Sequence, residues 1–354
     1  MGRRLTWWMA GAAALLPIAA IAGNPALPGY YADPEIRAFD GQYWIYPTYS
    51  AHDGAPDLTK RFTPQQAKAR KASSIRPSYL YQTFFNAFSS PDLVRWKKHD
   101  HVLDVANIPW AYKAIWAPTV IEQGGRYYMF FSANDIQSDM EVGGIGLAVA
   151  DHPGGPFRDA IGKPLIDKFH NGAQPIDPFV FRDDDGQVYL FYGGWKHCNV
   201  VKLSADLKSV VPFEDGTTYR EITQPGYVEG SFVIKRNGTY YFMWSEGGWT
   251  GPDYAVAYAT GPTALGPFTP KGRILAQDFR IARGAGHHSV LNIPGTDDWY
   301  IAYHRRPIGD DVGEHRQVAL ERLIFEADGS IRAVVMTNEG VAPQKPPRTN
   351  KAGE

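Results

Sequence analysis

The sequence has very little cysteine and almost no net charge. Cys198 is the single cysteine among 354 residues, so no disulfide can form within the chain, and the zinc-binding patterns CxxC and HExxH are absent. With 36 Lys and Arg against 37 Asp and Glu, the net charge is −1, which gives no electrostatic reason to expect nucleic acid or an anionic membrane as a partner. Core-forming residues are plentiful, since 44% of the chain is hydrophobic and 14% aromatic, which excludes an intrinsically disordered protein.

Long apolar segments are also lacking, with one exception at the N-terminus. Arg3 and Arg4 precede an apolar stretch from Trp7 to Ile21, and Ala20–Ala22 has the A-x-A form of a cleavage site. Pro17 interrupts the stretch, which is short for a membrane-spanning helix. We therefore predict a signal peptide over residues 1–22 and a secreted or periplasmic protein.

One pattern recurs five times along the rest of the chain. Each copy has a turn followed by a run of aromatic and branched residues, as expected for a hairpin turn that leads into a strand. The runs are apolar at successive positions rather than at alternate ones, so both faces of each strand should be covered. Successive copies are 84, 61, 52 and 59 residues apart. The five runs are Gly41–Tyr46, Gly125–Phe130, Gly186–Phe191, Gly238–Met243 and Asp297–Ala302.

Repetition at this spacing, with hairpins and without helical periodicity, is typical of a β-propeller. We predict an all-β fold, a five-bladed β-propeller of four-stranded antiparallel blades over residues 23–342, followed by a flexible tail over 343–354. An irregular β-sandwich is the alternative, and five copies argue against it. The first spacing is the longest, and within it Thr63–Gln66 has the sequence of a helix N-terminus with a capping box. A short helix is therefore expected on a loop of the first blade. As a separate expectation, we predict that the protein is a monomer.

Acidic residues and a histidine lie at similar distances upstream of four of the five turns. Asp33, Asp177 and Glu229 lie eight or nine residues before their turns, and His287 lies ten residues before the fifth. The innermost strands of a propeller converge on a central channel, so these side chains should meet around one cavity. Crowded carboxylates raise one another's pKa, an arrangement that acid–base catalysis uses and that packing does not require.

Two tryptophans near these positions suit a sugar ring, which has apolar faces and polar edges. Trp116 precedes Ala117, which takes the corresponding position in the second repeat, and Trp249 lies in a glycine-rich segment. We expect Trp116 to form a wall of a sugar pocket, with a core position between blades as the alternative. Trp249 is expected on a loop at the rim.

The chain resembles glycoside hydrolase family 43 at five short motifs, and the resemblance extends from about Asn24 to Val341. Three acid motifs in this order and at these spacings form a specific signal, whereas each alone would be weak. The motifs are Tyr31–Pro34, Trp116–Pro118, Pro175–Phe179, Tyr227–Ser231 and Gly284–His287.

The resemblance implies a five-bladed propeller, the fold that the repeats also predict, and a reaction that inverts the anomeric centre. It gives Asp33 the role of general base, Glu229 that of general acid, and Asp177 the tasks of tuning the acid and orienting the substrate. Arg316 matches a sugar-binding arginine of the family, with an exposed strand position as the alternative. The family's histidine at the position of His287 often contacts a central calcium ion or its waters. These roles require no cofactor, and a structural calcium near the axis stays an alternative, because calcium prefers oxygen ligands.

The resemblance also implies a carbohydrate substrate but leaves its sugar open. The family acts mainly on α-L-arabinofuranosides, β-D-xylosides and arabinans, and some members act on galactofuranosides. We predict the release of terminal pentose units by an α-L-arabinofuranosidase, with β-D-xylosidase or galactofuranosidase activity as alternatives. The competing classes are a retaining enzyme acting on fructans, a non-catalytic sugar-binding propeller and a propeller scaffold for protein partners. The three acids argue against the last two classes, which would not need them.

Overall fold

The computed structural model describes residues 23–50, 62–72 and 76–345. The predicted signal peptide over 1–22 lies outside these residues, as does the predicted flexible tail from residue 346 onward. At the beginning of that tail, the backbone N–H of Gln344 donates a hydrogen bond to the carbonyl of Asp92 at 2.8 Å. No helix in the described ranges is long and apolar enough to cross a membrane.

Five antiparallel sheets form the fold, and in four of them each strand is paired with the strand that follows it in the chain. Three of these sheets, the first, second and fourth blades, have four strands each. Their strands are β1 (Tyr31–Phe39), β2 (Gln42–Tyr49), β3 (Phe84–Ser90) and β4 (Lys97–Asp104); β5 (Trp116–Gln123), β6 (Arg126–Ala133), β7 (Gly144–Ala150) and β8 (Arg158–Asp159); and β14 (Glu229–Arg236), β15 (Thr239–Glu246), β16 (Ala255–Gly261) and β17 (Thr269–Leu275).

The third and fifth blades vary this pattern at their outer edges. Two short strands, β12 (Val210–Val211) and β13 (Arg220–Glu221), both pair with β11 (Asn199–Leu203) in the third blade. The fifth blade has three strands, and the N-terminal segment lies along the last of them, where the N–H of Ala26 donates to the carbonyl of Val318 at 2.8 Å. The strands are β9 (Phe179–Arg182), β10 (Val188–Tyr192), β11 (Asn199–Leu203), β12 (Val210–Val211) and β13 (Arg220–Glu221), then β18 (Ala282–Asn292), β19 (Trp299–Pro307) and β20 (Gln317–Leu323).

The five sheets are arranged in a ring, which confirms the predicted five-bladed propeller. The innermost strands β1, β5, β9, β14 and β18 contact one another in that order, and β18 contacts β1 to close the ring. The second strands carry the aromatic runs of the repeats, and neighbouring residues such as Tyr43 and Trp44 are both buried, as expected for strands covered on both faces. Each buried cluster combines residues from neighbouring blades, for example Trp44 with Met129. The hydrophobic core therefore lies between the blades and leaves the axis to polar residues.

The predicted helix is present in the first blade. In α1 (Pro64–Ala72) the side chain of Gln66 accepts from the N–H of Thr63 at 2.9 Å, and the N–H of Gln66 donates to the hydroxyl of Thr63 at 3.2 Å. The Gln66 amide also donates to three backbone carbonyls of the segment that begins with the 3-10 helix Val105–Asn107. These bonds hold α1 against the first blade, and a second 3-10 helix, Pro77–Leu80, follows it towards the axis.

Candidate active site

Each innermost strand contains, or begins within two residues of, a residue in the left-handed backbone region. The φ angles at these five residues lie between 40° and 65°, and in four blades the pairing register shifts at the same place. Such bulges turn a side chain out of the strand, and a left-handed backbone outside glycine is concentrated at functional sites. The residues are Asp33, Ala117, Asp177, Gly230 and His287.

This register corrects one part of the sequence analysis. Glu229 precedes the left-handed residue of its blade by one position, so it is not equivalent to Asp33 and Asp177. Its counterpart in the second blade is Trp116, which precedes the left-handed Ala117. The left-handed Asp33 and Asp177 and the preceding-position Glu229 all line the same pocket, so Glu229 still lies beside the other two acids although it is one position earlier.

Side chains from the preceding blade hold four of the five bulges. Each is seven residues downstream of its own hairpin turn, and each accepts a hydrogen bond from the backbone N–H of a left-handed residue at 2.7–3.2 Å. In the third blade the residue seven positions after the turn is Gly193, which has no side chain to accept a hydrogen bond. The backbone N–H of Gly230, the left-handed residue of the next blade, instead interacts with the Asp177 carboxylate. The four pairs are Thr48 with Ala117, Ser132 with Asp177, Ser245 with His287, and His304 with Asp33.

The bulges open into one pocket of about 600 Å³, a size common for ligand sites. The structure brings all seven residues singled out from the sequence into its lining. The loop inserted in the first blade contributes Arg76 and Tyr79 to the same lining. The seven are Asp33, Trp116, Asp177, Glu229, Trp249, His287 and Arg316.

Asp33 is buried beside basic groups. Its Oδ1 lies 3.2 Å from Nδ1 of His287 and 3.4 Å from Nη1 of Arg316. Burial alone would raise the pKa of Asp33, but the neighbouring His287 and Arg316 outweigh this effect and hold the pKa well below its ordinary value. Asp33 is therefore ionised at neutral and mildly acidic pH.

Glu229 and Asp177 have the opposite environment. Burial of its carboxyl group raises the pKa of Glu229 to about 7, the hydroxyl of Tyr254 partly offsets this by donating to Oε1 at 2.8 Å, and the charge of Asp33 adds to the rise. Burial and the charges of Glu229 and Asp33 also raise the pKa of Asp177 well above its ordinary value. Desolvation is the largest cause of the raised pKa of Glu229, ahead of the repulsion expected between crowded carboxylates.

His287 lies among carboxylates. Its Nδ1 is 3.2 Å from Oδ1 of Asp33 and 3.6 Å from Oδ2 of Asp177, and burial lowers the pKa of its imidazole. Among the residues that the structure describes, no group of three or more His, Cys, Asp or Glu side chains is arranged to hold a metal ion. Calcium takes six to eight oxygen ligands, a set that these side chains do not supply.

The three remaining candidates form the walls of the pocket. Nε1 of Trp116 donates to the side-chain oxygen of Gln82, and its ring meets that of Tyr79 edge-on at 4.6 Å. Trp249 lies on the loop between β15 and β16, with the guanidinium of Arg316 4.8 Å from its ring. Arg316 is buried and contacts Asp33, which is contrary to the alternative of an exposed strand position.

Known proteins resemble the chain over nearly its whole length. The family model for glycosyl hydrolases family 43 matches residues 22–331. The chain belongs to this family. It is 41% identical to a β-D-galactofuranosidase of Aspergillus niger, over 90% of this chain and 87% of that protein, and 29% identical to a xylosidase/arabinosidase of Bacteroides ovatus, over 86% and 95%. A solved α-L-arabinofuranosidase of Clostridium thermocellum has 27% identity and a TM-score of 0.67, and the match covers 88% of this chain and 95% of that one.

This family 43 chain is therefore a glycosidase with the inverting mechanism characteristic of the family, and its substrates are carbohydrates. The fold, the family and the reaction type predicted from the sequence are confirmed. The relatives differ in the sugar named for them, so they leave the specific activity of this family 43 enzyme open.

Three further residues of the site, His304, Tyr254 and Asp135, were not identified from the sequence patterns. His304 could have been found by counting seven residues from each hairpin turn, an offset that also gives Thr48 and Ser132. Tyr254 and Asp135 follow no repeat, because they lie on loops between strands. Asp135 lines the pocket of this family 43 enzyme, and burial raises the pKa of its carboxyl to about 6.

Proposed function

We propose that the protein is an inverting furanosidase that removes terminal α-L-arabinofuranosyl units, with Asp33 as general base and Glu229 as general acid. The observation that carries the proposal is the contrast between the surroundings of these two carboxyl groups. Asp33 is held ionised beside His287 and Arg316, while the pKa of Glu229 is raised to about 7. An inverting glycosidase needs one carboxylate to activate water and one carboxylic acid to protonate the leaving oxygen.

In the proposed reaction the Asp33 carboxylate accepts a proton from a water molecule as the water oxygen bonds to the anomeric carbon. Glu229 donates its proton to the glycosidic oxygen as the bond between that oxygen and the anomeric carbon breaks. The leaving group departs as a neutral alcohol, and the new bond forms on the opposite face, so the anomeric centre inverts. Asp177 lies close enough to Glu229 and Asp33 for their charges to raise its pKa, which supports a role in tuning the acid.

The contact between two loops on one side of the pocket supports the release of terminal units. The pocket is lined here by Arg76 and Tyr79 from the first blade and by Trp249 from the fourth blade. The guanidinium of Arg76 lies 5.1 Å from the centroid of the Trp249 ring. A β-D-galactofuranoside is a second candidate, because the relative with 41% identity is a β-D-galactofuranosidase and the two furanose rings share their configuration. Asp135, which accepts a hydrogen bond from Gln174 at 2.9 Å, offers a polar contact for the extra hydroxyl of the larger sugar.

Side-by-side kinetics on aryl α-L-arabinofuranoside, β-D-galactofuranoside and β-D-xylopyranoside test the substrate class. We expect both furanosides to be cleaved and the arabinofuranoside to have the highest kcat/KM. A dominant rate on the xylopyranoside would contradict a furanosidase, and a dominant rate on the galactofuranoside would select the second candidate.

Two variants test the roles of the carboxyl groups. Asp33→Ala should lose about 10²–10⁴-fold in kcat on every substrate, because the attacking water is no longer activated. Glu229→Ala should lose a similar factor on natural glycosides but much less on an aryl glycoside whose leaving group needs no proton. Proton NMR should show the opposite anomer as the first product. Equal sensitivity of both variants to the leaving group would overturn the assignment.

We further propose that the protein is exported without residues 1–22 and acts as a monomer that needs no cofactor. The N-terminal pattern supports export, and the two-carboxylate site supports a reaction without a cofactor. N-terminal sequencing of the exported protein should begin near Gly23, and size-exclusion chromatography should give the mass of one chain. Treatment with a chelator should change kcat modestly at most, and a complete loss reversed by calcium would contradict this part of the proposal.

A further inference from the structure

A second groove, of about 560 Å³, opens beside the catalytic pocket. Lys196 and Val228 line both spaces, so the groove joins the pocket at the residue immediately before Glu229. We name it the lateral groove. Its other lining residues come from the loops of the third and fourth blades and include Gln224, Gly226, Gly248 and Asp253.

The position of the acid indicates which end of a substrate would enter this groove. A general acid must reach the glycosidic oxygen, so the leaving group lies on the acid's side of the pocket. The lateral groove begins beside Glu229 on the fourth blade. Asp33 lies on the first blade, next to Arg316 of the fifth, and contributes nothing to the lateral groove.

The residues around the junction have the chemistry of a sugar-binding surface. Trp195 lines the mouth of the pocket and is 49% exposed, with its ring centroid 4.8 Å from that of Phe169. Left-handed φ angles of 56° at Trp195 and 70° at Lys196 turn the chain here, and the N–H of Lys196 donates to the carbonyl of Val228 at 3.2 Å. An exposed aromatic ring beside charged and amide groups matches the apolar face and polar edge of a sugar.

We propose that the lateral groove binds the sugar chain of the leaving group. Trp195 stacks against the first sugar, and Lys196, Gln224 and Asp253 form hydrogen bonds to the hydroxyls beyond it. The inference rests on the proposed function, because its direction depends on Glu229 being the acid. It implies that the natural substrate is a furanosyl branch on an oligosaccharide or polysaccharide rather than the glycoside of a small alcohol.

Gly248 allows a direct test. It is exposed, its backbone is not left-handed, and a Cβ placed on it meets no atom within 4 Å, so a larger side chain extends into open space in the groove without strain. Gly248→Ala, Gly248→Leu and Gly248→Trp form a series of increasing size. Met140→Trp is the control, because Met140 is 92% exposed and lines neither space.

The series is measured on an aryl α-L-arabinofuranoside and on an oligosaccharide of at least three sugars that carries the same terminal unit. We expect kcat/KM on the oligosaccharide to fall with side-chain size, by about tenfold for Gly248→Trp, mainly through KM. Activity on the aryl furanoside should stay within about twofold, a change below 0.5 kcal/mol. The control should leave both unchanged.

The outcomes separate the inference from the function on which it rests. A parent enzyme that cleaves no aryl furanoside would refute the proposed function itself. If the parent enzyme cleaves both substrates and the Gly248→Trp variant cleaves the oligosaccharide as fast as the parent does, only the proposal about the lateral groove is overturned. An equal loss on both substrates in a correctly folded variant would overturn it as well. Gly248→Leu and the thermal melting curves of all variants distinguish a filled groove from a misfolded protein.

Discussion

The hydroxyl of Tyr254 controls the pH at which Glu229 loses its proton. It donates to Oε1 of Glu229 at 2.8 Å, a bond that favours the ionised carboxylate and so lowers its pKa. Burial and nearby negative charge raise the pKa of Tyr254 well above its ordinary value, so the hydroxyl remains a donor at every working pH. Tyr254→Phe removes this bond and keeps the ring, which stacks with that of His304 at 5.5 Å. We therefore expect the pKa of Glu229 to rise.

The size of the shift follows from the strength of one hydrogen bond. A bond to a charged group contributes about 1.5–3 kcal/mol, and one pKa unit corresponds to about 1.4 kcal/mol. The protonated carboxyl keeps part of this interaction, so we expect a rise of about one unit. Glu229 acts in its protonated form, so activity is lost as pH rises through its pKa. The alkaline limb of kcat/KM should move upward from about pH 7, and the acid limb set by Asp33 should not move.

The assay is kcat/KM against pH on an arabinofuranosyl oligosaccharide. Tyr46→Phe is the matched control, because the Tyr46 hydroxyl is also buried and donates to the carbonyl of Pro153 at 2.9 Å, outside the pocket. Both variants lose one buried hydrogen bond and should lose similar stability, but only Tyr254→Phe should move the alkaline limb. A limb that stays in place or moves to lower pH would refute this account of Glu229.

Two further predictions concern the support of the site. Asp177→Asn should slow turnover, because Asp177 is buried close enough to Glu229 and Asp33 for their charges to raise its pKa; full activity across the pH range would contradict this role. Ser245→Ala removes the acceptor for the N–H of His287 and should cost about 1 kcal/mol in the free energy of unfolding, measured by denaturant titration. Ser245→Thr should keep the bond, since Thr48 makes the same contact in the first blade, and an equal loss in both variants would show that the hydroxyl is not the cause.

The number of blades was predictable because each blade contains a local sequence pattern that can be recognised on its own. A hairpin turn followed by residues that are apolar at successive positions reports a strand covered on both faces, and the chain repeats this signal five times. The edge of the fifth blade was not predictable in the same way. Ala26 lies along β20 through a bond to Val318, a contact between opposite ends of the chain that no local pattern marks.

The convergence of the acids also followed from the repeat, but their protonation did not. Asp33 and Asp177 both occupy left-handed positions at the start of an innermost strand, yet the pKa of one is lowered and that of the other raised. The difference comes from Arg316 and His287 beside Asp33, and from Glu229 beside Asp177. These neighbours come from other blades, so their effect depends on distances that sequence spacing does not contain.

The side chains that accept hydrogen bonds from the bulges occupy equivalent positions in the repeats although they are different residue types. Thr48, Ser132, Ser245 and His304 are unlike one another, and only their common offset and their common task of accepting a backbone N–H unite them. The third blade has Gly193 at this offset, where a Cβ would lie 2.1 Å from the carbonyl oxygen of His197, so no side chain fits. Without a hydroxyl or imidazole acceptor there, the N–H of Gly230 interacts with the carboxylate of Asp177, next to Glu229. This departure from the shared contact thus occurs where the blade of the acid begins, and it ties Asp177 to that blade.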